Sequence, residues 1–211
     1  MVRDVNRTAG DIVAVVIAET DSIAQDAMEL IDARYDSMPA VTDVYAAIED
    51  GAPQLYDEYP RNIAFNWVEG DHVSTNAAIA GAEAAGMEVF DIDVVNNRVI
   101  INSMETRPMI AGPGEEEGSL DIWCGTQGPV GVAEQIADAL GMARDLVRVR
   151  TGDVGGGFGF KIFLHPEQLI IAWAARRLGR RIRWQQARSD SFVSDLHGRD
   201  NRTKARAVID K

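Results

Sequence analysis

An α+β fold in two parts is the architecture this sequence predicts, on three grounds. Short β-branched apolar runs alternate with segments whose apolar residues recur at helical spacing. The stretch EDGAPQLYDEYPRN, residues 49–62, holds Gly51, Pro53 and Pro60 without periodicity and reads as a linker or boundary. Further on, a glycine-dense loop follows directly on a strand. Such a loop marks backbone that turns sharply or lets a ligand come close.

In the first part, DIVAVVIAE (11–19) reads as a buried strand. Asp21 or Ser22 can cap the helix after it, SIAQDAMELIDARY, where Ile23, Ala27, Leu30 and Ile31 share a face. Pro39 then interrupts. In the second part EVFDIDVVNN and RVIINSMETR are strand-like, with Asn96 and Asn97 as a turn between them. SLDIWCG is a short strand. VGVAEQIADALG is an amphipathic helix that stops at Gly141, with Val132, Ile136, Ala139 and Leu140 facing inward. DLVRVRTGD is a strand running into the glycine cluster. PEQLIIAWAARRLG (166–179) is a helix with proline in its first turn, arginines in its last and Gly179 as its stop. RIRWQQAR and TKARAVID (203–210) alternate as strands do.

The 211 residues, 46% hydrophobic and 26% charged, suffice for one ample core or a domain and part of another. A net charge of −12 lacks the basic footprint that nucleic-acid binding needs. Cys124 is the single cysteine, so neither an internal disulfide nor an iron–sulfur cluster can be built from this chain. It fits a reducing compartment. The opening residues have no apolar core of the signal-peptide kind, and no apolar run approaches the roughly 20 residues that span a membrane. A soluble, cytoplasmic protein is expected.

TGDVGGGFGFK (151–161) is the densest signal, with four glycines in five positions. Its N–H groups suit a concavity for phosphate or oxo anions. It is not a Walker loop, because Lys161 stands between Phe160 and Ile162 and no Ser or Thr follows it. It is not a dinucleotide fingerprint either, since Phe160 or Ile162 occupies the sixth position where glycine is required. A structural hairpin or hinge is the competing reading. His72, His165 and His197 are scattered, without zinc-type spacing. The arginines at 176, 177, 180, 181 and 183 read as helix-end charge and strand surface.

The order WCGTQGP (123–129), a helix ending in ALG, DVGGGFGFK, WQQARSDSF and HGRD resembles the molybdenum hydroxylases. These are the xanthine dehydrogenases, the aldehyde oxidases and the large subunit of aerobic carbon monoxide dehydrogenase. Upstream, VAVVIAET…AQDAMELIDARYDSMPAVTDVYAAIEDGAP is similar to the latter part of that family's hammerhead domain. VVNNRVIINSMETRP is similar to the entry into its cofactor domain, with Thr106 where the family commonly has proline.

The resemblance implies residues 1–55 as the C-terminal part of a hammerhead domain and 56–211 as the N-terminal part of a molybdopterin-binding domain. Gln127 would donate to an oxo group on molybdenum, and Gly156, Gly157, Phe158 and Gly159 would lie against the cofactor. A surface glutamine capping the next helix, and a core aromatic at Phe158, are the plainer readings. Arg199 matches an arginine that reaches the substrate pocket in several members. Ile162 stands where purine-oxidising members often carry glutamate, which disfavours a xanthine-type substrate. Cys124 does not match the copper-binding cysteine of carbon monoxide dehydrogenases, and no direct metal ligand is expected. The implied cofactor is molybdopterin–molybdenum in its cytosine dinucleotide form, with iron–sulfur and FAD groups on partner subunits. The general-base glutamate is missing, so this fragment is expected to be inactive alone; uncovered strand edges and the apolar segments holding Val13, Val15, Ile17 and Ile170 imply a homo-oligomer. A non-catalytic interaction or scaffold domain derived from the family is the alternative.

Overall fold

The computed structural model describes residues 4–209, so Asp210 at the end of the last predicted strand lies outside the described residues. The chain divides into two compact units. One comprises residues up to Ile31 with Ile100–Gly198; the other comprises Asp32–Val99 and the chain from Arg199 onward. Both mix helix and strand, in keeping with the α+β class.

The first unit is built on a four-stranded sheet. Its strands are β3 (Pro108–Pro113), β4 (Leu120–Cys124), β5 (Val147–Arg150) and β6 (Ile182–Gln185), in the order β5-β4-β3-β6. β4 pairs antiparallel with β3 and parallel with β5, and β3 pairs antiparallel with β6. Strand alternation sends Met109, Ala111, Leu120, Ile122 and Val147 to one face, where all are buried. Helices α3 (Pro129–Leu140) and α4 (Pro166–Leu178) cover that face with Val132, Ala133, Ile136, Ala137, Ile171, Ala172 and Ala175. The alanines let helix and sheet approach closely. On α3, Ala133 and Ala137 take the inner places, and Ala139, expected inside, is exposed. Both helices end on left-handed glycines, Gly141 and Gly179, as read.

Three local readings change. Residues 11–19 form no strand, and Val13, Val15 and Ile17 stay half-exposed; among the described residues no strand pairs with them. The helix after them is shorter, α1 (Asp21–Glu29), and it is capped by Thr20, whose Oγ1 accepts from Ile23 N–H at 3.3 Å. β3 was unforeseen. Its prolines argue against a central strand, yet Pro108 and Pro113 sit at its two ends, where least pairing is lost. The strand expected over 181–188 ends at Gln185, and its last residue instead begins a short helix, α5 (Arg188–Ser194).

The second unit holds α2 (His72–Ala84), capped by Asp71, which accepts from Ser74 N–H at 2.9 Å. Its alanine-rich sequence has helical propensity but no apolar stripe, so periodicity does not show it. Beside it β1 (Glu88–Asn96) pairs antiparallel with β8 (Asn201–Ile209), not with residues 98–107 across an Asn96/Asn97 turn. Opposite charges meet across this ribbon, Asp91 against Arg206 and Asp93 flanked by Arg202. Strands β2 (Val99–Ile100) and β7 (His197–Gly198) have two residues each. The 49–62 stretch is no bare linker: Asn62 Nδ2 donates to the carbonyls of Ala47 and Pro53, and Arg61 to that of Ile48.

Arg107, just before β3, is the charged centre of the first unit. Its side chain is 1% exposed and pairs with Asp195, also 1% exposed, at 2.8 Å. It donates to both oxygens of Glu167 at 2.9 and 3.1 Å and to Ser194 Oγ at 3.2 Å. Gln186 Nε2 and Ser191 Oγ complete the shell of Asp195 at 2.8 and 2.7 Å. Arg107→Met should therefore cost ~3–5 kcal/mol, because it strands a buried carboxylate without its cation. Urea unfolding of the chain measures this, and a loss below about 1 kcal/mol would mean the network is dispensable.

Candidate functional site

After β5 the chain turns through residues 151–159 into a short 3-10 turn at Phe160–Ile162. Gly156 and Gly159 take φ of 97° and 96°, a region that suits glycine, and Phe158 takes 49°. Gly157 has no positive φ, contrary to the general expectation for this cluster. It must be glycine for another reason: a Cβ there would lie 2.3 Å from the Gln127 side chain. The loop is pressed onto the glutamine.

Thr126 and Gln127 hold the other side. Thr126 is buried, and its hydroxyl donates to Lys161 O at 2.8 Å while accepting from Gly128 N–H at 3.1 Å. Gln127 N–H donates to the same Lys161 carbonyl at 3.0 Å. The Gln127 side chain accepts from Gly159 N–H through Oε1 at 3.1 Å. Since only the amide oxygen can accept, the Nε2 donor points elsewhere, and it has no partner among the described residues. The N–H groups of Gly157 and Phe158 likewise have none among the described residues. Three donors thus remain open on one loop and the glutamine against it, an arrangement able to receive oxygen atoms of an anionic group.

The structure therefore brings Gln127 together with Gly157 and Gly159. Phe158 is 74% exposed, which overturns the core-aromatic reading. Ile162 is 46% exposed at the end of the same turn, and its carbonyl faces Gly128, where a Cβ would sit 3.4 Å away. Arg199 belongs to the other unit, where it is exposed at a φ of 68°. Cys124 is buried, and burial first, then the Glu105 carboxylate, push its thiol up to about 11, so it is no ready thiolate. Thr106, standing for a proline, is pinned by its own hydroxyl, which donates to Gln186 O at 3.0 Å and accepts from Gln185 Nε2 at 2.8 Å.

Sequence reading missed the groups behind the loop. Lys161 is buried and donates to the Glu105 carboxylate at 2.7 Å. His165 is buried too, with Nε2 2.9 Å from Phe160 O. Acid and base here are some 56 positions apart, a separation no local motif reveals. Glu105 and Gly125 also border a cavity of about 280 Å³ that Trp123, Cys124 and Trp184 help to line. Among the described residues no group of three or more His, Cys, Asp or Glu side chains could hold a metal ion, and no helix is long and apolar enough to cross a membrane.

Comparison with known proteins returns one family and a consistent set of relatives. The molybdopterin cofactor-binding domain matches residues 55–211. The carbon monoxide dehydrogenase large chain of Hydrogenophaga pseudoflava is 30% identical over 200 residues, covering 89% of this chain and 24% of that protein. The nicotine 6-hydroxylase large subunit of Paenarthrobacter nicotinovorans is 27% identical, covering 95% of this chain and 24% of that one. In structure, quinoline 2-oxidoreductase from Pseudomonas putida 86 superposes with a TM-score of 0.75 at 32% identity, over 92% of this chain and 24% of the other. The chain thus spans about a quarter of the length of the curated relatives it matches.

His165 gives the site's underside a pH signature. Burial, and next the Arg107 guanidinium, hold its pKa below the ordinary 6.5. Between the lowered value and 6.5 the unfolded chain binds more protons than the folded one. Stability from the neutral ring is thus complete above 6.5 and is lost as pH falls through the folded value. His165→Gln, which keeps a donor for Phe160 O, should flatten this part of the curve. Urea midpoints across that range decide, and an unchanged slope in the variant would refute the assignment.

Proposed function

The chain belongs to the molybdopterin cofactor-binding domain family, and from that premise we propose that it forms one wall of the molybdenum–pterin site in the large subunit of a molybdenum hydroxylase. The observation carrying this reading is the Gln127 amide: its oxygen is engaged by Gly159 N–H while its Nε2 donor has no partner among the described residues, beside Gly157, where a Cβ would lie 2.3 Å from that side chain. When bound, the molybdenum–pterin group would supply oxidation of the substrate with water as the oxygen source.

The chain's own residues bind and orient. Gln127 Nε2 would donate a hydrogen bond to an oxygen of the bound group without adding charge or becoming a metal ligand itself. The N–H groups of Gly157 and Phe158 offer further donors to anionic oxygens. Phe158 and Ile162, both exposed, give the substrate side an apolar border that suits an aldehyde, a non-purine heterocycle or carbon monoxide better than xanthine. Arg199 is the proposed polar contact to substrate. The cytosine dinucleotide form of the cofactor completes the reading. Iron–sulfur and flavin groups then sit on partner subunits in a cytoplasmic complex. The match over residues 55–211 supports assigning 56–211 to the first part of the cofactor domain; the proposal of 1–55 as the latter part of a hammerhead domain rests on the sequence resemblance alone.

The test is made in a cofactor-loaded large subunit carrying this segment. Gln127→Ala removes one preorganised donor and should lower turnover roughly ten- to thousandfold with little change in fold. Gly157→Val collides with Gln127 and should lower molybdenum content itself. Full activity in the first variant, or full occupancy in the second, would reject the loop as the molybdenum wall; a family member kept as a scaffold would show the same indifference. The chain alone should self-associate, because among the described residues β1 and β8 form a sheet of two strands only, which a further strand could extend. Sedimentation that stays monomeric across concentration would contradict this.

A further inference from the structure

Glu105 touches both ends of the glycine loop. Its N–H donates to Gly155 O at 3.0 Å and its Oε2 accepts from Gly155 N–H at 3.1 Å. The same Oε2 accepts from Lys161 Nζ at 2.7 Å, and Glu105 O accepts from that Nζ at 2.9 Å. Ser103 Oγ, donating to Glu105 O at 2.6 Å, steadies the arrangement from below. The fit is close: a Cβ on Gly155 would come within 2.5 Å of Glu105 Cβ, and one on Gly125 within 2.7 Å of Glu105 Oε2.

Lys161 is the link onward. Its side chain is 1% exposed against 31% for Glu105, so its ammonium is tolerated only because these acceptors surround it. Its carbonyl meanwhile takes both the Thr126 hydroxyl and the Gln127 N–H. From this geometry we infer that Glu105 and Lys161 are positioning residues, a clasp that closes the loop at residues 155 and 161 and thereby sets the direction of the Gln127 amide. What the amide serves rests on the cofactor reading above; the clasp itself is a property of the chain without cofactor.

The test uses the whole chain, at 23.0 kDa accessible to solution NMR, with hydrogen exchange alongside. In Glu105→Ala, exchange across residues 151–162 should rise roughly tenfold or more, while α3 changes by less than about twofold. The side-chain NH2 signals of Gln127 should move to random-coil positions. Glu105→Gln keeps an oxygen for Gly155 N–H and should restore exchange to within about threefold of the parent. Should Glu105→Ala not fold, Lys161→Met removes the ammonium's contacts to Glu105, leaves a carboxylate that is 31% exposed and still bonded to Gly155 N–H, and should loosen the same residues. Unchanged loop exchange in either variant, or a rise shared equally by α3, would overturn the clasp. The outcomes separate cleanly: a failed clasp with Gln127→Ala still crippling turnover sinks this inference alone, and an intact clasp with an indifferent Gln127→Ala sinks only the cofactor reading.

Discussion

The buried guanidinium of Arg107 is the constraint on which the first unit depends. A cation at this depth costs several kcal/mol in lost hydration, and it is held because two carboxylates and a hydroxyl accept four hydrogen bonds from it. Those partners come from different elements. Glu167 lies in the first turn of α4 and Asp195 caps the end of α5, so satisfying one side chain fixes where both helices meet the start of β3. Apolar packing alone would let α4 slide over the sheet; the bidentate contact to Glu167 specifies its register. Trp184 adds an aromatic face 5.9 Å from the guanidinium.

From that anchor order passes outward to the loop. Glu105 is two residues before Arg107 and Thr106 lies between them, hydrogen-bonded to β6 and the residue beyond it. The segment is therefore rigid before it meets the glycines. Gly155 packs on Glu105, Gly157 on Gln127, and Lys161 joins the two contacts through its ammonium and its carbonyl. The four glycines have separate reasons: two take positive φ, and two yield space to neighbouring side chains. What remains exposed, the Gln127 side chain and the Phe158 ring, is the part a ligand can reach.

Much of this was legible in the residues. Gly141 and Gly179 mark their helix ends because only a residue without Cβ stops a helix cheaply in the left-handed region. The core positions of β4 and of α3 at Val132 and Ile136 follow from alternation and from a 3.6-residue period. The glycine loop and Gln127 stood out by composition and by order along the chain. Illegible were the strand bounded by prolines, the alanine helix α2 and the pairing of β1 with β8, more than a hundred residues on. Periodicity reports which face of an element is apolar; it does not report which distant element lies against it.

By itself, then, the sequence determined the local elements with strong caps or periods, the family resemblance and the identity of the loop that would meet an anion. The tertiary structure alone decided how charge is buried. Arg107, Asp195, Lys161 and His165 look like ordinary surface types in sequence, because ionisable residues are seldom buried. Their burial is a property of partners supplied from elements as many as 88 residues away, and only the closed fold brings those partners within hydrogen-bond distance.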